Sequence, residues 1–440
     1  MQPIKIDLLI NSRWIIPVVP ENRVFENCAL AIDQQKIVGI YPQAEAQSKF
    51  DPLSVVDLAD HILMPGLVNA HGHAAMSLLR GYADDLPLQP WLEEHIWPVE
   101  ARVLSAEFVT DGTNLAMAEM IKTGTTCFAD MYFFADTVAE QVQRSGMRSQ
   151  VGFTVFDFPT AGGKDPDDYI HKGLQLRDIY KGDGLIKIAC APHAPYTVGD
   201  ETMRRIATYA NELDMPVHIH CHETAQEVAD SLKLYGCRPL QRLDDLGVLL
   251  PQTQLVHMTQ IDDSDIRLIQ DNNCHVVHCP ESNLKLASGF CPVGKLIDAG
   301  VNVALGTDGA ASNNDLDLFG ELKTAALLAK AVAGDASVLD AHAALRMATI
   351  NGAKALGWDD QIGSLEAGKS ADMIAVEISS LSQKPLYNPA SQLIYSNAGS
   401  QVTHSWVAGK ALLRERNLVT LDEDNLIRRA DAWRNQISPL

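Results

Sequence analysis

Cysteine is sparse and carries no pattern. The chain of 440 residues holds 8 cysteines, and no two of them form a Cys-x-x-Cys pair. That excludes a disulfide framework and a structural zinc knuckle, and it leads us to expect reduced thiols in a cytoplasmic setting. Long apolar runs are missing too. No stretch approaches the ~20 apolar residues that a membrane helix needs, so no membrane partner is expected. The start, Met1-Gln2-Pro3-Ile4-Lys5-Ile6-Asp7, has neither a basic region nor an apolar core, so we expect no signal peptide. Basic residues are outnumbered: 35 Lys and Arg against 56 Asp and Glu give a formal charge of −21. Phosphate backbones repel such a surface, which speaks against a nucleic-acid partner. Low-complexity segments and short-period repeats are absent as well.

What is present is a β-rich start, an alternating middle and a β-rich end. Residues 6–10, 29–32 and 36–40 are short apolar runs separated by turn residues. Residues 370–376 and 402–410 repeat that pattern near the other end, with Gly409-Lys410 as a hairpin turn. Two β-rich ends around a different middle predict a small β-sandwich domain built from residues 1–64 and 364–440. A polar amphipathic helix near 422–436 would pack on its outside.

The middle, 65–363, alternates apolar runs with stretches of helical period such as 108–122 and 201–213. The runs are 63–68, 125–129, 150–156, 185–191, 216–219, 253–256, 275–278 and 301–305. Strand and helix in repeated alternation predict an α/β fold, a parallel (β/α)8 barrel of the TIM type. A chain of this length suits one large barrel with a smaller partner domain.

Barrels of this kind place their chemistry at the C-terminal ends of the strands. The first run leads into Pro65-Gly66-Leu67-Val68-Asn69-Ala70-His71-Gly72-His73. Side chains alternate in an extended segment, so His71 and His73 aim at one point. Imidazole pairs at one point are the usual start of a transition-metal site. The later runs end in His193, in His218-Ile219-His220-Cys221-His222-Glu223, in His257, in His278 and in Thr307-Asp308. Random placement of 14 histidines would rarely close so many runs. His218, His220 and His222 share one face by period two, and they cannot all be ligands if one lies at the rim. We place His218 deeper in the barrel and His222 in the loop, and take His278 as a candidate for the pocket lining. His61, His95, His171, His275, His342 and His404 read as surface or packing residues.

These motifs resemble the amidohydrolase superfamily. They are Pro-Gly-Leu-Val-Asn-Ala-His71-Gly-His73, His220 with Glu223, His257 and Gly306-Thr307-Asp308-Gly309. Within the superfamily the chain resembles the 5′-methylthioadenosine/S-adenosylhomocysteine deaminases. Met76-Ser77-Leu78-Leu79-Arg80-Gly81, Trp97-Pro98-Val99-Glu100 and Ala191-Pro192-His193-Ala194-Pro195-Tyr196 carry that closer likeness. The resemblance implies a barrel with a terminal β-domain, and a small-molecule nucleoside as substrate. It also implies one divalent metal per subunit, most often Zn2+, held by His71, His73, His220 and Asp308. Two-metal relatives carry a modified lysine at the end of the fourth strand. Here Lys187 stands near that strand's start, which implies a single metal.

The resemblance also implies roles. Glu223 would give a proton to the ring nitrogen N1, His257 would hold the attacking oxygen, and Asp308 would orient the water and take its proton. Glu100 would hold the ribose hydroxyls, which suits a carboxylate that accepts two hydrogen bonds. His193 would contact the purine, so the substrate-binding set is Glu100, His193, Glu223 and Asp308. Trp91 and Trp97 are candidates for apolar walls, with plain packing as the competing explanation. Members that use S-adenosylhomocysteine well hold its carboxylate with arginines from the third strand and the loop after it. Here Gln150-Val151-Gly152-Phe153-Thr154-Val155-Phe156 has no arginine. Arg148 precedes it, and Lys164 offers only a point charge. Phe153 and Phe156 suggest an apolar surround, which favours the methylthio nucleoside. The competing expectations are a relative acting on guanine or a chlorotriazine, and a silent barrel kept for binding. Oligomeric relatives make a homo-oligomer an expectation by analogy.

Overall fold

The computed structural model describes residues 2–396 and 398–438, so the outermost domain limits, 1 and 440, lie outside the described residues. Eight parallel strands make the barrel: Leu67–Asn69, Thr125–Tyr132, Arg148–Val155, Ile186–Pro192, Val217–Cys221, Thr253–His257, His275–His278 and Asn302–Leu305. Each hydrogen-bonds to its neighbours in chain order. The Ala70 N–H donates to the Leu305 carbonyl at 2.8 Å and joins first to last. Helices cover the outer face and side chains fill the interior, so the strands are buried on both faces.

Strands from both chain ends form one eight-stranded sheet. The front supplies Ile4–Ile15, Phe25–Asp33, Lys36–Pro42 and Phe50–Pro65. The back supplies Met373–Glu377, Val402–Val407, Lys410–Arg414 and Asn417–Leu418. The seam is antiparallel, with Leu63 opposite Ala375 and Pro65 opposite Met373.

That seam corrects the first run, 63–68. Its front half belongs to the terminal sheet, and the first barrel strand keeps only Leu67–Asn69. The break falls at Pro65-Gly66. A side chain at Gly66 would lie 2.1 Å from Thr126 Oγ1, so only glycine lets the chain cross between the two sheets there. The hairpin turn also moves by one residue. Val407 pairs with Lys410, so Ala408-Gly409 make the turn, at φ 49° and 72°. Positive φ at both positions gives the twist that two-residue hairpins favour.

The helix expected over 108–122 spans Ala106–Lys122, capped by Ser105, whose hydroxyl accepts from the Phe108 N–H. The terminal helix, Glu423–Ile437, packs against it. There the Trp433 Nε1–H donates to Asp111 at 2.7 Å. Among the described residues, no helix is long and apolar enough to cross a membrane.

Candidate active site

The C-terminal ends of the barrel strands, with the loops after them, bring His71, His73, His220, His257 and Asp308 together. His71 Nε2 lies 3.3 Å and His73 Nε2 3.1 Å from Asp308 Oδ1. His220 Nε2 lies 3.2 Å from His71 Nε2. His71 is fully buried, and His220 and Asp308 are nearly so.

Neighbouring backbone fixes which nitrogens are bare. His73 Nδ1 sits 2.6 Å from the Met131 carbonyl, and His220 Nδ1 sits 2.8 Å from the His193 carbonyl. A carbonyl only accepts, so both Nδ1 atoms carry the proton and both Nε2 atoms are lone pairs. Lone pairs and a carboxylate aimed at one buried point repel one another unless a cation stands between them. Neutral imidazoles plus one carboxylate are the donor set of a Zn2+ site with an open position, and the residues fit that ion. Burial disfavours charge on His73, yet its hydrogen bond to Asp308 and that carboxylate's charge override burial and lift it to about 9.

Asp308 is held from behind. Its Oδ2 accepts from the Ser282 hydroxyl at 2.6 Å and the Ser312 hydroxyl at 3.1 Å. Its own φ is 61°, and that of His257 is 76°. Left-handed backbone at such residues costs energy that the surrounding structure must supply, and it collects at functional sites.

Glu223 follows the fifth strand. Its backbone N–H and that of His222 donate to the Glu227 carboxylate, at 2.7 and 3.0 Å, which sets the turn into helix Ala225–Tyr235. The Glu223 side chain is buried, and burial raises its carboxyl above the ordinary value. Its Oε2 faces His257 Nε2 at 3.7 Å.

Glu100, on helix Trp97–Val103, accepts from the Tyr132 hydroxyl at 2.5 Å. Burial pushes it up to about 7, against the pull of that hydrogen bond. His193 packs face to face on Phe156, with ring centroids 4.9 Å apart. Glu100, His193, Glu223, His257 and Asp308 all line one pocket, walled by Trp91, Trp97, Phe133 and Phe156. Both tryptophans therefore face the cavity. Past Glu100 the pocket continues between Leu104, Phe133, Phe156, Phe158 and Pro159, and among the described residues no cationic side chain lines that extension.

Other sequence candidates lie elsewhere. His222 is a buried pin, with Nδ1 on the Gln260 carbonyl and Nε2 accepting from the Leu240 N–H. His278 is buried outside the pocket lining, and its Nδ1 meets no partner among the described residues. His218 sits beneath His71, at 2.7 Å from its Nδ1. Lys187 reaches away from the rim, over the Trp358 ring at 4.8 Å. Arg148 is fully engaged with Asp372 at the strand's other end, and Lys164 is exposed. Phe153 turns outward, where a side chain at Gly173 on the covering helix would strike its ring, so only Phe156 of that pair lines the pocket.

Sequence reading missed Tyr132, Ser282 and Ser312. The second apolar run, 125–129, is the front of a strand that continues to Tyr132. Asp130 is buried there, accepting from the Ala74 N–H at 2.6 Å.

A parallel barrel with a metal-type donor set at its C-terminal rim defines the class. Residues 62–412 match the amidohydrolase family, and the chain belongs to that family. More particular relatives are proteins of Teredinibacter turnerae and Saccharophagus degradans, each named 5-methylthioadenosine/S-adenosylhomocysteine deaminase. The first is 54% identical over 98% of both chains. The second is 55% identical over 98% of this chain and 97% of its own. A crystal structure of an adenosine deaminase from Xanthomonas campestris with bound zinc superposes with a TM-score of 0.98, at 52% identity over 99% of both chains. Atrazine chlorohydrolase from Arthrobacter aurescens, at 24% identity over 97% of this chain and 99% of its own, shares the fold with a TM-score of 0.90.

Proposed function

We propose that this chain is a hydrolytic deaminase of the adenine ring, with 5′-methylthioadenosine as its preferred substrate. One Zn2+ per chain would be held by His71, His73, His220 and Asp308. The observation that carries the proposal is the facing set of bare Nε2 atoms and the Asp308 carboxylate, opening onto a pocket that also holds Glu223, His257 and Glu100.

A divalent metal bound there supplies Lewis acidity and a water whose pKa falls to about 7. The chain's own residues do the rest. Asp308 orients the attacking water and takes a proton from it. Glu223, whose carboxyl burial raises above its ordinary value, gives a proton to N1 as C6 is attacked. His257 holds the attacking oxygen, and its Nδ1 lies 2.9 Å from Asn283 Oδ1, which steadies the ring. The proton taken by Asp308 passes to the amine and ammonia leaves, and the water's second proton leaves the C6 oxygen to restore the Glu223 carboxyl as the carbonyl forms. Water and the amidine are consumed, and the inosine-type product and ammonia are formed. Glu100 accepts from the ribose diol with the oxygen not bound to Tyr132.

The apolar extension past Glu100 suits a methylthio group. A homocysteine carboxylate desolvated there would find no cation, an arrangement that costs heavily. Guanine or a chlorotriazine has no ribose for Glu100, which leaves those substrates less support.

The test is deamination by zinc-loaded protein, followed by the ultraviolet shift from adenine to hypoxanthine. 5′-Methylthioadenosine, S-adenosylhomocysteine, adenosine, guanine and a chlorotriazine are offered in parallel. Preference for the methylthio compound is expected. Silence on every nucleoside, with zinc bound, would sink the proposal.

A further inference from the structure

The imidazoles of the cluster are oriented by different means. His73 and His220 each give Nδ1–H to a backbone carbonyl. Among the described residues, no such carbonyl meets His71. Its Nδ1 meets another imidazole, His218 Nε2, at 2.7 Å, with the two rings inclined by only 20°. Two imidazole nitrogens form a hydrogen bond in either direction, so this contact alone leaves the His71 tautomer open.

The next contacts close it. His218 Nδ1 faces Gln254 Oε1 at 2.5 Å. The Gln254 amide is anchored at its other end, where Nε2 lies 2.8 Å from the Ala355 carbonyl. That carbonyl only accepts, so Nε2 is the donor there and Oε1 is turned toward His218. Gln150 reinforces the same orientation. It donates to Gln254 Oε1 at 2.8 Å and accepts from Gln254 Nε2 at 3.1 Å. His218 Nδ1 must then donate, which leaves its Nε2 bare. His71 Nδ1 must donate in turn, which leaves His71 Nε2 as the lone pair facing Asp308 and His220 Nε2.

These groups lie inside the barrel, between 0% and 2% exposed for His71, His218, Gln150 and Gln254. Branched apolar side chains ordinarily fill that space. A polar chain there is tolerated when every member is satisfied, as here.

We propose that His218 and Gln254 are positioning residues. Through them the Ala355 carbonyl fixes His71 as the Nδ1–H tautomer and presents its Nε2 to the metal. This rests on His71 being a ligand, as in the function proposed above.

The experiment measures zinc affinity of the full chain by competition with a chromophoric chelator. Circular dichroism of the metal-free protein checks the fold. His218→Leu removes the acceptor for His71 and should weaken zinc by about 10- to 100-fold, the usual worth of a residue that orients a ligand. Gln254→Leu, which leaves His218 in place, should weaken zinc by about tenfold. His218→Gln offers an amide oxygen to His71 and an N–H to Gln254, and should stay within about threefold of the parent. Nitrogen-15 spectra of the zinc-loaded parent should show His71 protonated at Nδ1. Affinities of His218→Leu and Gln254→Leu within about threefold of the parent would overturn the proposal. So would a His71 proton on Nε2. If His218→Leu does not fold, Gln254→Leu and His218→Gln decide. A parent that binds no zinc removes the ligand assignment itself, and the positioning role falls with it.

Discussion

Two buried charged clusters sit at opposite ends of the barrel strands, and they differ in one respect. At the N-terminal end, Arg148 and Asp372 are each 2% exposed. Asp372 Oδ2 accepts from Arg148 Nε at 2.9 Å. Its Oδ1 accepts from the Ser370 hydroxyl at 2.7 Å and the Ala408 N–H at 2.8 Å. Donors and acceptors match, so the cluster is complete. It ties the third barrel strand to the terminal sheet. At the C-terminal rim, the His71, His73, His220 and Asp308 atoms that face one another are all acceptors. That cluster is complete only with a cation. A buried polar group that satisfies itself speaks for architecture, and one that lacks a partner of opposite sign speaks for a ligand.

The contrast yields tests. The largest effect is expected at Glu223, beside the rim cluster but outside its donor set. Glu223→Gln should lower kcat by about 10²- to 10⁴-fold, the range for a lost proton donor. Bound zinc and the melting temperature should stay near the parent's, and near-normal turnover would remove Glu223 from the proton path. At the other end, Arg148→Met leaves the Asp372 carboxylate buried and unpaired. It should destabilise the fold by about 3–5 kcal/mol, measured by denaturant unfolding. The KM of whatever protein remains folded should not move. A large change in KM with little loss of stability would break the contrast between the two ends.

Metal loading should depend on pH with a definite sign. His73 sits at about 9 when a proton occupies the cluster, so below that pH zinc must displace the proton. Affinity should then fall by about tenfold for each pH unit from 9 down to 7, as one proton is released per ion bound. Competition titrations at several pH values check this, and a flat profile would mean that no proton is displaced. The smallest effect is expected at Glu100. Replacing it by Ala should raise KM for the nucleoside by about tenfold, the loss of hydrogen bonds to a charged group, with a smaller change in kcat.

Part of this is legible in the sequence. Alternation along a strand places residues two apart on one face, so His71 and His73 were bound to converge. Apolar runs that end in His, Glu or Asp mark the rim because parallel barrel strands are buried on both faces until they end. Element edges were less legible. Ile62-Leu63-Met64 is as apolar as any barrel strand, and only its pairing with Met373–Glu377 on one side and Ile4–Ile15 on the other assigns it to the terminal sheet. The second strand passes through Asp130, a charge tolerated because the Ala74 N–H, remote in sequence, meets it. Tyr132, at that strand's end, holds Glu100, a contact between segments that no local pattern marks.

The sequence by itself placed His71 and His73 on one face and ended several apolar runs in His, Glu or Asp, because periodicity and residue type are local properties. It did not separate His220 and Asp308 from His218, His222 and His278, which the fold turns elsewhere. Which nitrogen of each imidazole is bare was decided by the tertiary structure alone. The Met131 carbonyl sets it for His73, the His193 carbonyl for His220, and the Ala355 carbonyl, through Gln254 and His218, for His71. An imidazole carries no internal preference strong enough to choose its tautomer. The choice belongs to whichever backbone acceptor the fold brings beside it.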